Sequence, residues 1–66
     1  MHDAMAVVSS WVKSIDWANG VLTVTTKHNK IYRYAGVPDF LWRQLQASPS
    51  KGEFINNRIK GKYPAQ

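Results

Sequence analysis

The sequence predicts an α+β fold (βββαα), in which a three-stranded antiparallel meander sheet is followed by two short helices packed on one of its faces. Residues 8–35 contain β-branched and aromatic residues in stretches typical of strands, whereas residues 37–60 carry apolar residues at helical spacing. An Asn-Gly pair between two of the strand-like stretches is the strongest short hairpin signal. Strands that precede helices, instead of alternating with them, are typical of α+β domains with an antiparallel sheet.

The first hairpin is predicted to turn at Asn19-Gly20, because both residues tolerate the positive φ angles of a type I′ turn. A two-residue loop there places Trp17 opposite Leu22 and brings the apolar residues of both strands to one face. The first strand does not alternate cleanly between Val12 and Ile15, which predicts a β-bulge near residues 13 and 14.

The second hairpin is predicted to turn through a three-residue loop, Lys27-His28-Asn29, since asparagine tolerates the left-handed conformation. A two-residue loop would instead turn Arg33 inward and bury an unpaired guanidinium, which is costly. The side chains then predicted on the inner face of the sheet are Ile15, Trp17, Leu22, Val24, Tyr32 and Tyr34. Those predicted on the outer face are Thr23, Thr25, Ile31 and Arg33.

The first helix is predicted to begin at Pro38 and Asp39, because proline suits the first helical turn and an acid suits the positive end of the helix dipole. It ends at Ser48, since the residue before Pro49 disfavours the α conformation. Its apolar stripe should face the sheet. The core residues predicted here are Val37, Leu41 and Leu45, with Trp42 beside them.

The second helix is predicted to begin with a capping box formed by Ser50 and Glu53. Gly61 ends the helix, and Tyr63 is expected to fold back onto the core. The apolar face of this helix consists of Phe54, Ile55 and Ile59.

The length of 66 residues allows one domain, which we place at residues 7–63. We expect residues 1–6 to be an N-terminal extension, frayed or added by cloning, and residues 64–66 to be a tail. A chain this short buries only about 60% of the surface that it exposes when unfolded, so its core must be dense. The sequence has no cysteine, no apolar run of membrane-spanning length and no visible signal peptide, which favours a cytoplasmic protein without a membrane segment.

No catalytic or metal site is predicted. A nucleophilic triad needs a serine or cysteine, a histidine and an acid that converge in space, and a metal site needs three or four convergent ligands. The histidines are His2, near the terminus, and His28, in a turn without an acidic neighbour. The sequence therefore predicts a non-catalytic protein with no cofactor and no small-molecule substrate.

The net charge of +5 favours a polyanionic partner, either nucleic acid or an acidic protein surface. One basic group, on the second hairpin, consists of Lys27, Lys30 and Arg33. A second group, near the C-terminal end, consists of Lys51, Arg58, Lys60 and Lys62. If the two groups meet in space, they form a phosphate-binding surface, with Trp11 or Phe40 as a stacking partner. The sequence leaves open whether they meet.

Several short elements together resemble the KTSC domain, a small family named for the C-terminus of some lysyl-tRNA synthetases and also found in stand-alone bacterial and phage proteins. The resemblance runs from about Val7 to Tyr63. The elements that carry it are Ser9-Ser10, Val12, Ile15, Tyr32-Arg33-Tyr34, Val37-Pro38, Ser50-Lys51-Gly52, Phe54, Asn56, Ile59 and Tyr63. It implies the fold predicted above, and it implies RNA binding.

The sequence departs from the family pattern at a few positions. The first hairpin loop is short, and Asn29 stands where a glycine is usual. Trp11 and Phe40 are large aromatic residues at positions that usually hold other types. We expect both side chains to be exposed. With Trp42 they are candidate anchors for an alternative function, that of a protein-interaction module, for example a phage protein that binds or inhibits a host protein.

Overall fold

The computed structural model describes the backbone of residues 2–6 and 9–65 and the side chains of residues 9–65. It confirms the predicted α+β class, with an antiparallel sheet followed by helices. The sheet contains one strand more than predicted, and neighbouring strands pair in sequence order. Its strands are β1 (His2–Ala6), β2 (Val12–Ala18), β3 (Val21–Thr26) and β4 (Ile31–Tyr34).

Strand β1 stands where the sequence predicts an N-terminal extension, because its own residues include no β-branched or aromatic side chain that would indicate a strand. It pairs with β2 from His2 opposite Ala18 to Ala6 opposite Ser14. Backbone pairing of this kind depends little on side-chain type, and it covers an edge of β2 that would otherwise present unpaired backbone groups. Residue 1 lies outside the described residues.

The first hairpin has the predicted register. Asn19 and Gly20 adopt φ angles of 51° and 82°, and Trp17 lies opposite Leu22. The register shifts between Val12 and Ser14, which confirms the predicted β-bulge.

The second hairpin is also confirmed, with Leu22 opposite Tyr34 and Asn29 at a φ of 63°. The Thr26 side chain stabilises the loop, because its Oγ1 accepts hydrogen bonds from the backbone N–H groups of His28 (3.3 Å) and Lys30 (3.1 Å). The loop is therefore fixed both by its left-handed asparagine and by a buried threonine.

Helix α1 spans Asp39–Ala47 and stops before Pro49 as predicted. Helix α2 (Lys51–Phe54) continues directly into a π-helical turn, Ile55–Ile59. In this turn the backbone N–H of Lys60 donates to the carbonyl oxygen of Ile55 at 2.8 Å, which spans one residue more than an α-helical bond.

The predicted capping box is wrong. Ser50 precedes α2, but its side chain makes no capping hydrogen bond in the described part of the chain. Instead, the Ser48 hydroxyl forms two hydrogen bonds with the backbone of Ser50. It accepts from the N–H at 3.3 Å and donates to the carbonyl oxygen at 3.1 Å. Glu53 is therefore not needed to satisfy the Ser50 N–H, and its side chain is left at the surface.

The core lies between the inner face of the sheet and the helices. Its buried members are Val12, Ile15, Leu22, Val24, Tyr34, Val37, Leu41, Trp42, Leu45, Ile55 and Ile59. The residues packed around its rim are Trp11, Trp17, Phe54 and Tyr63. The indole N–H of Trp17 donates to the carbonyl oxygen of Val37 at 3.0 Å, which joins the end of β2 to the start of α1.

The prediction that Tyr32 belongs to the core is wrong. It shares the inner face with Tyr34, but 39% of it is exposed, compared with 5% of Tyr34. The residues packed on this face cover Tyr34 and leave Tyr32 partly open to solvent. Trp17 and Phe54, also predicted in the core, are half-buried at its rim.

The last described residues, 64 and 65, lie alongside the end of β4 and pair with it. The backbone N–H of Ala35 donates to the carbonyl oxygen of Pro64 at 3.1 Å, and Ala65 forms a bridge with Tyr34. Residues 64 and 65, assigned to a tail, thus extend the pairing at this end of the sheet. None of the helices in the described ranges has the length and apolar composition needed to cross a membrane.

Candidate functional site

A groove of about 520 Å³ opens beside the exposed part of Tyr32. We call it the aromatic groove. Its lining residues come from three parts of the chain that are distant in sequence. They are Trp11, Thr26, His28, Lys30, Tyr32, Tyr34, Asn56 and Lys60.

The floor of the aromatic groove follows from the alternation of side chains along β4. Tyr32 and Tyr34 point to the same face, with Arg33 between them on the opposite face. Tyr34 is buried and Tyr32 is open to solvent. The groove therefore has an apolar floor with one accessible phenol ring, a surface on which a planar group can stack.

Each of the two predicted basic groups contributes one lysine to the aromatic groove. Lys30 comes from the second hairpin and Lys60 from the end of the π-helical turn. Both side chains are exposed, and no acidic residue stands among the described lining residues. The two groups therefore do meet in space, but only through these two members.

The other predicted basic residues lie elsewhere. Arg33 is on the outer face of the sheet, and Lys27 and Lys62 are exposed outside the described lining of the groove. Arg58 is engaged in packing: its guanidinium lies 5.3 Å from the centre of the Phe54 ring, and its Nη2 donates to Gln44 Oε1 at 3.3 Å.

The π-helical turn positions Lys60. Ile55 and Ile59 are both fully buried and anchor the turn to the core. The wide turn ends at Lys60, whose backbone N–H donates to the carbonyl oxygen of Ile55. The φ and ψ angles of Lys60, −62° and 127°, are those of an extended residue, so the chain leaves the helix here. The side chain of Lys60 thereby reaches the groove from a turn that is anchored in the core.

Trp11 and Phe40, the predicted aromatic anchors, differ in their surroundings. Phe40 is 62% exposed on α1, as the sequence indicated, and it is not among the described residues of the groove. Trp11 is half-buried: it packs against the core and also lines the groove, so it is less exposed than predicted. Trp42, a further candidate anchor, is fully buried.

A smaller cavity of about 250 Å³ adjoins the groove. We call it the serine pocket. Its lining residues are Ser9, Ser10, Trp11, Pro49, Ser50, Lys51, Gly52, Glu53 and Asn56. Trp11 and Asn56 line both cavities.

Lys51, the remaining member of the predicted basic groups, lines the serine pocket. Its ammonium donates to the carbonyl oxygen of Ser48 at 3.0 Å, and the side chain is half-buried. On the opposite side, Ser9 Oγ accepts from the backbone N–H groups of Trp11 (3.3 Å) and Val12 (3.4 Å). These bonds fix the chain where it enters β2.

Gly52 allows the two sides of the serine pocket to approach closely. A Cβ atom at this position would stand 2.6 Å from Trp11 Nε1 and 2.9 Å from Ser9 Oγ, distances that real Cβ atoms essentially never show. The glycine in the Ser-Lys-Gly element is therefore required by packing, because α2 lies directly against the Ser9–Trp11 segment.

The electrostatics of the aromatic groove are dominated by its cations. Burial raises the pKa of Tyr34 above 10.0, and the neighbouring Tyr32 adds to this rise, so the buried phenol stays protonated. An ion pair between Arg43 and Asp39, at 3.0 Å, lies away from the groove on α1. Among the described residues, no three histidine, aspartate or glutamate side chains converge in a way that could hold a metal ion.

Five lining residues of the aromatic groove are not predicted from the sequence as site residues: Thr26, His28, Tyr32, Tyr34 and Asn56. The two tyrosines are predicted in the core, His28 in the hairpin loop, and Asn56 only as part of the family pattern. The signal that could have revealed Tyr32 is the position of β4 at the edge of the sheet, where cover by the helices is least certain.

Two comparisons with known proteins point to the same family. The family model of the KTSC domain matches residues 8–63. The fold is similar to the crystal structure of a KTSC domain protein from Yersinia pestis, with a TM-score of 0.91 and 29% sequence identity, over 100% of this chain and 96% of that chain. Among curated proteins, none matches this chain.

The first prediction concerns Gly52. We expect Gly52→Ala to lower the free energy of unfolding by about 1–3 kcal/mol through overpacking against Trp11 and Ser9. This is opposite to the gain of about 1 kcal/mol that alanine normally brings to a helix. Urea unfolding followed by tryptophan fluorescence measures the change. In a Trp11→Ala background the cost should be smaller, and an equal cost in both backgrounds would show that the clash with Trp11 is not the cause.

The second prediction concerns alkaline pH. Because the pKa of Tyr34 in the folded protein is raised above 10.0, its contribution to stability is fully present below pH 10 and is lost as the pH rises through the folded-state pKa. We expect the free energy of unfolding to decline over this range, and to decline less in Tyr34→Phe. Tyr63→Phe is the matched control and should keep the decline of the parent protein. A decline of the same steepness in Tyr34→Phe would contradict the assignment.

Proposed function

This chain belongs to the KTSC domain family, and we propose that it binds single-stranded nucleic acid, RNA in particular, in the aromatic groove. The observation that carries the proposal is the accessible Tyr32 ring on an apolar floor, flanked by Lys30 and Lys60 without an opposing acid among the described lining residues. An aromatic platform between cations is the combination with which proteins bind unpaired nucleotides.

Each component of the aromatic groove matches one part of a nucleotide. Stacking of a base on an aromatic ring is worth about 1–3 kcal/mol. The ammonium groups of Lys30 and Lys60 match the phosphates on either side of such a base. Asn56, at the border of the groove, offers an amide that can both donate and accept hydrogen bonds at a base edge.

The apolar floor favours a single strand over a duplex. The faces of paired bases are covered by their neighbours in a duplex, so a ring such as that of Tyr32 cannot reach them. Unpaired bases can be splayed out and stacked. The proposed activity is binding without catalysis, and we place it in the cytoplasm, where single-stranded RNA is available.

Protein interaction is the second candidate function, and the observation that favours it is the exposure of Phe40. This side chain is 62% exposed on α1, and aromatic residues often anchor protein interfaces. Of the three aromatic residues proposed as anchors, Phe40 alone is exposed, since Trp11 packs on the core rim and Trp42 is buried. The support is therefore narrower than that for the groove.

The third prediction tests the lysines of the groove. We expect Lys30→Ala and Lys60→Ala each to weaken binding of a labelled RNA tetranucleotide. Each should also reduce the slope of log affinity against log salt concentration by about 0.7, since each removes one phosphate contact with a single strand. Fluorescence anisotropy at a series of salt concentrations measures both quantities. The matched controls are Arg33→Ala and Lys62→Ala, which remove the same charge outside the described lining of the groove.

Equal losses in all four variants would indicate a diffuse charge effect and would count against the groove. Binding weaker than about 100 µM in low salt, the weak end of non-specific binding, would refute nucleic-acid binding altogether. The same titration with a DNA tetranucleotide and with duplex RNA decides whether RNA and single strands are preferred.

The fourth prediction separates stacking from charge. We expect Tyr32→Ala to lower the affinity for the RNA tetranucleotide by about 1–3 kcal/mol while leaving the salt slope unchanged, because it removes a stacking surface and no charge. Phe40→Ala is the control and should bind RNA like the parent protein. The second candidate function is tested by capturing proteins on the chain from a nuclease-treated cell lysate. If Phe40→Ala abolishes this capture and Tyr32→Ala has no effect on RNA binding, the second candidate function gains the support that the first loses.

A further inference from the structure

We infer that the serine pocket extends the aromatic groove into one continuous site for two consecutive nucleotides. In this site a base stacks in the groove, and the sugar–phosphate linkage to the next nucleotide occupies the serine pocket. The inference rests on the proposed function, which it deepens by naming the smallest ligand that fills the whole site.

The two cavities share a border. Trp11 and Asn56 line both the aromatic groove and the serine pocket, so a chain that leaves one cavity past these side chains enters the other. Trp11 is held there by its packing on the core and against Gly52. The Trp11 side of this border is therefore fixed by the packing of the fold.

The lining of the groove suits a base, and the lining of the serine pocket suits a sugar–phosphate linkage. The groove has the rings of Tyr32, Tyr34 and Trp11, whereas most of the serine pocket is lined by hydroxyl, amide and charged groups. The pocket has about half the volume of the groove, 250 Å³ against 520 Å³. A small polar cavity beside a larger aromatic one suits a backbone segment better than a second stacked base.

Lys51 supplies the positive charge of the serine pocket. Its ammonium has three hydrogens, and one is used by the carbonyl oxygen of Ser48. That bond holds the half-buried side chain in place and leaves two hydrogens for another acceptor. Ser10 and Ser50 are exposed at the same pocket, and their hydroxyls can donate to a phosphate oxygen or pair with a ribose hydroxyl.

Glu53 is the opposing charge in this pocket. Its carboxylate is exposed and lies in the same lining as Lys51. It therefore weakens the binding of any anion there, and its removal offers a variant whose effect has the opposite sign to that of removing Lys51.

The fifth prediction compares adenosine with adenylyl-adenosine, a dinucleotide with one internal phosphate, on the isotope-labelled full chain by NMR. Adenosine should shift the amide signals of His28 and Tyr32 and leave those of Ser50 and Glu53 unchanged. Adenylyl-adenosine should shift all four. If it shifts only the groove signals, the two-nucleotide site is wrong and the proposed function stands. If neither adenylyl-adenosine nor an RNA tetranucleotide shifts the groove signals, the proposed function itself fails.

Variants of the serine pocket give the second measurement. We expect Lys51→Gln to weaken adenylyl-adenosine binding and Glu53→Gln to strengthen it, each by about two- to fivefold, the range expected for a largely exposed ion pair. Binding of adenosine should not change. Lys62→Gln, outside the described lining of both cavities, is the control. Lys51→Gln also removes the bond to Ser48 and could loosen that segment. Glu53→Gln is therefore the deciding variant: if it binds adenylyl-adenosine no more tightly than the parent protein, the inference is wrong.

Discussion

The pairing register of β2, β3 and β4 is the constraint on which the rest of the structure depends. Side chains alternate between the two faces of a strand, so a slip of one residue would exchange the entire inner and outer faces. Strand β3 is paired on both sides, and its Leu22 and Val24 are fully buried. A chain of 66 residues has no second core to compensate. The tight turn at Asn19-Gly20 and the Thr26-braced loop therefore specify the packing of the helices as well as the sheet.

Because of the same register, the three side chains of the Tyr-Arg-Tyr element in β4 have three different environments. Tyr34 lies under the helical layer, Arg33 lies on the opposite face, and Tyr32 lies beyond the cover. A family signature of this kind combines a folding requirement with an accessible surface. The groove exists because the packing over the inner face stops between two tyrosines on the same face of one strand.

Local patterns predicted the fold well and the site only in part. The hairpin registers and the limits of α1 follow from turn chemistry and periodicity, which act over a few residues. Strand β1 could not be predicted in this way, since its pairing depends on the free edge of β2 and not on its own side chains. The burial of Trp11 depends on Gly52, more than forty positions away in the sequence. Net charge pointed to lysine and arginine as candidate site residues, but only the fold decides that Lys30 and Lys60 line one groove and that Arg58 packs on Phe54.

The wide turn at Ile55–Ile59 has a consequence for the length of the chain. It contains one residue more between its hydrogen-bonded groups than an α-helical turn. Loss of one exposed residue within it would leave a turn of α-helical length, in which the two buried isoleucines stand three positions apart and can still face the core together. This segment can therefore absorb the loss of one residue. The hairpin loop at Lys27-His28-Asn29 cannot, because a change of one residue there would exchange the two faces of β4.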